Sequence, residues 1–298
     1  MLAAWHLARG VLPDHTSRFS RTDFTLPQLF ACLVVREHQR QSYRGVEALL
    51  ADAPHWGRAI GMRRVPDHNT LWRAFHAIAR LRRFGRMLDL LAAMFRTLRH
   101  LGPTLAIDST LYDTHHRSRH YEQRCRHYAS RHAKTANSRR SRAAKRTPKL
   151  AVGVDTASHV ILSARAKAGM GSDCLDFVPL LAEAQRRHRH RRVLGDAGYD
   201  SEANHRVARD ELGVTSLIKA SAGRPSAKPP TGRYRRLMSR QLRGSQRGRP
   251  YGQRAQVETV NSMMKRNLGD SLRARSPRAR RDEQILRVIT HNLMIFRR

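Results

Sequence analysis

The chain is short of acid. Against 58 lysines and arginines stand only 23 aspartates and glutamates, leaving a formal net charge of +35. An excess that large must either repel itself or meet a polyanion, and nucleic acid is the default partner of such a surface. Lysine is scarce as well, occurring only at 134, 145, 149, 167, 219, 228 and 265, so arginine carries the charge. A GC-rich coding bias accounts for much of that preference but not for the missing acids. Cysteine is limited to Cys32, Cys125 and Cys174. An odd number without C-x-x-C spacing suggests neither a disulfide framework nor a zinc ribbon, and fits a reducing cytosol. Long apolar runs are missing too: "LFACLVV" and "LLAAMF" are too short to cross a bilayer, and "MLAAWHLARG" is broken by His6 and Arg9 before a signal-peptide core develops. Composition therefore predicts a soluble, cytoplasmic, nucleoid-associated protein with no membrane partner.

What is present suffices for a core. The 298 residues are 40% hydrophobic, enough for one large or two medium domains. Residues 25–100 carry apolar side chains at three- and four-residue spacing, in "LPQLFACLVVREHQ", "YRGVEALLADA" and the long run "TLWRAFHAIARLRRFGRMLDLLAAMFRTLRH". Pro66, Asp67 and Asn69 are placed to begin or cap the helix holding Leu71, Trp72 and Phe75. Residues 1–100 thus read as an all-helical N-terminal domain whose short helices resemble a DNA-binding helix-turn-helix. After Gly102 and Pro103 the pattern changes to strands, "TLAID" (104–108), "KLAVGVD" (149–155) and "HVILSARAKAG" (159–169), followed by helix, strand "VLGDAG", helix, strand "VTSLIKA" and a helical end. A meander leading into βαβ units predicts an α/β domain over 101–298, a mixed sheet flanked by helices.

Two segments interrupt this scaffold. Residues 115–149 hold twelve lysines and arginines and one acid, Glu122, while 221–250 is rich in Gly, Pro, Ser and Arg without apolar periodicity. Both read as solvated basic loops, ordered when they meet a polyanion. The first also contains His115, His116, His120, Cys125, His127 and His132. Their spacing matches no standard zinc pattern, so the segment reads as an Arg and His arm on DNA phosphates, adding affinity without reading sequence.

The few acids fall at telling places. "TLAID" ends on Asp108 and "RVLGD" on Asp196, where two strands of one sheet can direct carboxylates past the same edge. Side by side they repel unless a cation lies between them. A third acid lies in "YGQRAQVETVNSMMKRNLG" (251–269), read as one helix. At 100° per residue Tyr251, Arg254, Glu258 and Lys265 fall within a 60° stripe, beside an apolar stripe of Val257, Val260 and Met264. Three carboxylates flanked by cations suit two divalent ions about 4 Å apart, clamping the attacking and leaving oxygens of a phosphodiester. Oxygen donors of this kind are what Mg²⁺ takes. Any one of these acids alone would be an ordinary turn former or cap; the joint arrangement carries the reading.

Residues 100–298 resemble bacterial insertion-sequence transposases of the DDE class, in the group marked by a Tyr-x2-Arg-x3-Glu-x6-Lys signature. Tyr251, Arg254, Glu258 and Lys265 match that spacing without a gap. "IDSTLYDTHHRSRHYEQR" is similar to the segment around the family's first aspartate, "LGDAGYDS" to the second, and "KLAVGVDTASHVILSARAKAG" to the meander between them. The resemblance implies an RNase H-like domain with Asp108, Asp196 and Glu258 as catalytic metal ligands for two Mg²⁺ or Mn²⁺ ions. It implies Tyr251, Arg254 and Lys265 on end-proximal DNA, hydrolysis at the element's terminal inverted repeats, and attack of the freed 3′-hydroxyl on target DNA. It also implies a homodimer or higher multimer on DNA. Only 61 residues separate Asp196 from Glu258, and the strandless insert there differs from the larger β insertion of relatives that form hairpin ends. Two rivals share the charge: a DNA-binding protein without catalysis, and an RNase H-like nuclease that cuts without joining.

Overall fold

The computed structural model describes residues 1–298 other than 20, 99, 116–119, 121–122, 125–126, 128–146, 221–229, 243–249 and 297–298. Contacts divide the chain into two compact units. One comprises Met1–Leu101, Met263–Gly269 and Ile285–Arg298; the other comprises Gly102–Ser262 and Asp270–Gln284.

The first unit contains helices α1 (Leu2–Arg9), α2 (Leu26–His38), α3 (Tyr43–Asp52), α4 (Pro54–Arg58), α5 (His68–Arg80) and α6 (Phe84–Thr97). The starts of α2, α3 and α5 follow from the short polar side chains of Thr25, Ser42 and Asp67. Thr25 and Gln28 form a reciprocal capping box ahead of α2, and Asp67 accepts from the backbone of Asn69 and Thr70 at 2.9 and 3.0 Å ahead of α5. Phe30, Leu71 and Phe75 are buried, whereas Trp72 is 51% exposed. The long periodic run expected after residue 70 is two helices rather than one. It breaks at Arg82, whose φ of 52° lies in the left-handed region. With neither glycine nor proline there, no local signal announces the break.

A buried ion cluster holds this unit. Glu37 of α2 accepts from Arg36 Nη1 at 2.5 Å and from Arg287 Nε at 3.2 Å, and the three side chains are 0%, 4% and 1% exposed. Arg287 also donates to the Gly269 carbonyl at 2.8 Å. Removing the carboxylate would strand two guanidinium groups out of water. Glu37→Ala is therefore expected to lower unfolding stability by about 3–5 kcal/mol, read by urea melts; a loss under about 1 kcal/mol would show the cluster to be solvated.

The second unit is built on a five-stranded mixed sheet. Its strands are β1 (Thr104–Leu111), β3 (Lys149–Asp155), β4 (Ile161–Lys167), β5 (Arg192–Gly195) and β6 (Thr215–Ile218), in spatial order β4-β3-β1-β5-β6. β1, β3 and β4 form the antiparallel meander, and β5 and β6 add in parallel beside β1. A separate parallel pair joins β2 (Asp113–Thr114) to β7 (Ser271–Leu272). β3 is buried along its whole length, so its run "KLAVGVD" lacks polar alternation. Helix α7 (Cys174–Arg187) covers β3 and β4 with Phe177, Leu180, Leu181 and Ala184, an i, i+3, i+4, i+7 stripe. Helix α8 (Glu202–Arg206) follows β5 and runs into a π turn at Val207–Glu211 before β6.

The basic segment 221–250 departs from the loop expectation. Residues 233–241 form helix α9 (Arg233–Gln241), while 221–229 and 243–249 lie outside the described residues. Most of 115–149, including His116, Cys125 and His132, also lies outside them; Lys149 opens β3 and is buried. Helices α10 (Ala255–Leu268) and α11 (Pro277–Phe296) complete the chain. Among the described residues no helix is long and apolar enough to cross a membrane.

Candidate active site

Parallel pairing of β1 with β5 sets Ile107 opposite Gly195. The next residue on each chain is an aspartate, Asp108 and Asp196, and neighbouring strands stand about 4.8 Å apart. Asp108 does not end its strand as expected from "TLAID". β1 continues to Leu111 against β3, with Asp108 opposite Val152. β5 stops at Gly195, so Asp108 is the first residue of β1 past the end of its parallel neighbour. Antiparallel hydrogen bonding to β3 keeps β1 extended there.

Past Gly195 the chain turns sharply. Asp196 caps the short 3₁₀ turn Ala197–Tyr199, accepting from the Gly198 amide at 2.9 Å. A Cβ on residue 198 would lie 3.1 Å from that oxygen, so glycine keeps the approach open. Tyr199 is buried beneath the turn against Phe177, their rings 6.1 Å apart.

The third segment is not a single helix from 251. Pro250–Arg254 is a 3₁₀ turn and α10 begins at Ala255. Residues three apart eclipse in a 3₁₀ turn, so Tyr251 and Arg254 still share a side. Val257, Val260 and Met264 are fully buried, as the apolar stripe requires. Arg254 Nη2 pairs with Glu258 Oε1 one turn along. The Tyr251 hydroxyl donates to the Gly195 carbonyl at 3.1 Å, which fixes the tyrosine to the strand end beside Asp196. Lys265, seven residues beyond Glu258 on α10, is partly buried and belongs to the first unit.

The carboxylates sense one another. Burial pushes the Asp108 carboxyl up to about 6, with Asp196 and Glu258 pushing the same way, against the Ser109 amide and the Arg254 guanidinium. Asp155, the acid that closes β3, shows the opposite outcome. Burial raises it, but bonds from His190, the amide and hydroxyl of Ser158 and the Gly102 amide outweigh burial and hold it below the usual carboxylate range. Asp155 is structurally satisfied; Asp108 is a carboxylate placed among acids.

Two features escaped the sequence reading. Asn261 Nδ2 donates to Asp108 Oδ2 at 3.1 Å, and Asn261 is 7% exposed. It lies three residues past Glu258, so helical spacing could have found it, had a neutral amide been weighed with the charged residues. Beside Asp108, the Ser109 hydroxyl donates to Asp173 Oδ1 at 2.6 Å and Lys149 Nζ pairs with the same oxygen at 2.7 Å. Burial raises Asp173, but these bonds prevail and lower it. No local pattern marks that contact, because Asp173 precedes α7, far along the chain.

The donor set suits a hard divalent cation. Asp108 and Asp196 directly follow paired positions on adjacent strands, and the Asn261 Oδ1 carbonyl is buried without a hydrogen-bond partner among the described residues. Glu258 is 53% exposed and engaged by Arg254. Among the described residues no three His, Cys, Asp or Glu side chains stand close enough together to hold one ion, so the geometry offers an aspartate pair with the glutamate within its electrostatic reach. The family model described as "Transposase DDE domain" matches residues 99–293. No curated protein matches the chain.

Proposed function

As the chain belongs to the family of transposase DDE domains, we propose that it cuts DNA at the ends of an insertion sequence and joins the freed 3′-hydroxyl to target DNA. The observation that carries this reading is the parallel register that brings Asp108 beside Asp196, with Glu258 acting on Asp108 from α10. The strand order, an antiparallel meander extended by two parallel strands, supports an RNase H-like assignment. The Tyr251, Arg254, Glu258 and Lys265 spacing supports the subgroup bearing that signature.

In this mechanism Asp108 and Asp196, joined by Glu258 once Arg254 has released it, would hold two divalent ions, Mg²⁺ or Mn²⁺. Such ions, when bound, stabilise charge on the attacking and leaving oxygens of the phosphodiester. Asn261 donates to Asp108 Oδ2 and so orients the Asp108 carboxylate. Tyr251 holds the Gly195 carbonyl and so keeps the Asp196 turn in place. Arg254 releases Glu258 and turns to a DNA phosphate, a charge-assisted exchange of one anion for another; Lys265 contributes a further cation for DNA. The first unit, with the capped helix α5, contributes DNA affinity, and two or more copies hold the two ends of the element.

The test is an assay in Mg²⁺ on DNA carrying the sequences that flank the coding region. The reading expects nicked 3′ ends and then joined products. Binding without cleavage would establish a non-catalytic DNA-binding protein, and cleavage without joining a nuclease.

A further inference from the structure

Helix α9 (Arg233–Gln241) buries one side chain, Met238. A helix with so little apolar contact needs another anchor, and it has three. Glu202 of α8 accepts from the amides of Tyr234 and Arg235 at 3.0 and 3.1 Å, satisfying donors that the first helical turn leaves open. Asp200, whose side chain is 0% exposed, receives Arg235 Nε at 2.9 Å and Nη2 at 2.8 Å. The Tyr234 hydroxyl bonds to Asp210. In a chain with only 23 acids, three converge on one helix of nine residues.

The anchored side leaves the other side basic. Arg233, Arg236 and Arg240 are all exposed, at i, i+3 and i+7, so they fall within about 60° of one another around the helix. Along the axis they span about 10.5 Å. The surrounding sequence reinforces the charge: residues 219–250 contain ten lysines and arginines and no acid. A helix whose exposed arginines merely kept the protein soluble would not need a buried carboxylate and two further acids to fix its orientation.

We propose that α9, which lies between Asp196 and Glu258 in the sequence, is a docked DNA-backbone contact, its Arg233, Arg236 and Arg240 face turned to the phosphates of duplex DNA. It rests on the reading of the chain as a DNA-processing enzyme. Arg235 belongs to the anchor and the three outer arginines to the contact, so the two jobs separate by mutation. Phosphate contacts carry no sequence information, so element-end DNA and unrelated DNA must lose affinity alike.

The experiment compares the wild-type chain with the triple variant Arg233→Gln, Arg236→Gln, Arg240→Gln, and with the triple Lys variant at the same positions. Glutamine keeps helix propensity, and circular dichroism and melting confirm the fold. The Gln variant is expected to bind both DNAs more than about tenfold more weakly at 100 mM salt and to lose roughly 2.7 from the slope of log affinity against log salt. The Lys variant is expected to restore most of both. An unchanged slope and affinity in a folded Gln variant overturns the proposal, as does a loss confined to element-end DNA. Failure of the wild type to bind any DNA would instead overturn the functional reading on which it rests.

Discussion

Asp108→Asn is expected to abolish strand cleavage while making the metal-free protein more stable at neutral pH. The wild-type carboxyl sits at about 6 in the fold, against an ordinary 3.8. A folded-state value above the unfolded one means that this group's stabilising contribution is complete below about pH 3.8 and is lost as pH rises through about 6. At pH 7.5 the ionised carboxylate therefore works against the fold, on the order of 1–3 kcal/mol. Asparagine has nearly the same shape, can still accept from Asn261, and carries no charge, so it removes that cost. The gain in melting temperature should appear at pH 7.5 and fade toward pH 4. Mg²⁺ should stabilise the wild type at pH 7.5 more than at pH 5, and the variant little at either. Cleavage should fall by at least about 100-fold, the upper end of what losing even an outer partner of a metal ligand costs. Glu258→Gln should lose cleavage to a similar degree with no comparable gain in stability, and both variants should bind DNA within severalfold of wild type. Cleavage near the wild-type rate in Mg²⁺ would remove Asp108 or Glu258 from the site.

DNA affinity is expected to collapse with salt. The proposed function has the net charge of +35 and the basic sequence segments at 115–149 and 221–250 meeting phosphates, each such contact releasing counterions on binding. With six to ten contacts formed, affinity falls by about 10³–10⁵ between 50 and 200 mM salt. The effect is larger than that of any single substitution, because it acts on every contact together. A titration on unrelated duplex DNA checks it, since backbone contacts do not depend on base sequence. Affinity that stays level over this range would mean that the positive charge meets something other than phosphates.

These two results probe different layers of the molecule. The first depends on a carboxylate whose field is set by neighbours from two other segments. The second depends on composition, and would survive considerable rearrangement of the fold. A protein that passed the second and failed the first would be a DNA-binding chain with the outline of an active site.

Much of the architecture was legible in the sequence because local rules decide it. Asp67 caps α5 as its position before the apolar run predicts. Short apolar runs and turn residues mark the meander, and the βαβ order places β5 and β6 parallel. The stripe of Val257, Val260 and Met264 is buried as helical spacing requires. Charge alone pointed to nucleic acid. Other features were invisible for physical reasons. The break at Arg82 depends on a left-handed residue that carries no local signature. The 3₁₀ turn before α10 shares its residues' polarity with a helix, so period alone cannot separate them. α9 has too little apolar content to show a period that a reader would trust, and it is held by acids contributed from α8 and its surroundings.

The sequence by itself determined which chemical groups are available: an oxygen-only set of acids, an aromatic residue and cations at fixed spacing, and a large positive excess. Those follow from residue identity and short-range periodicity, which the chain carries at every length scale of a few residues. Only the tertiary structure decided that β1 runs past the end of β5, that Asn261 reaches Asp108, and that Asp155 is satisfied while Asp108 is not. Hydrogen-bond register and burial join residues that lie far apart in the chain, and the ionisation of a carboxylate depends on that company rather than on its neighbours in sequence.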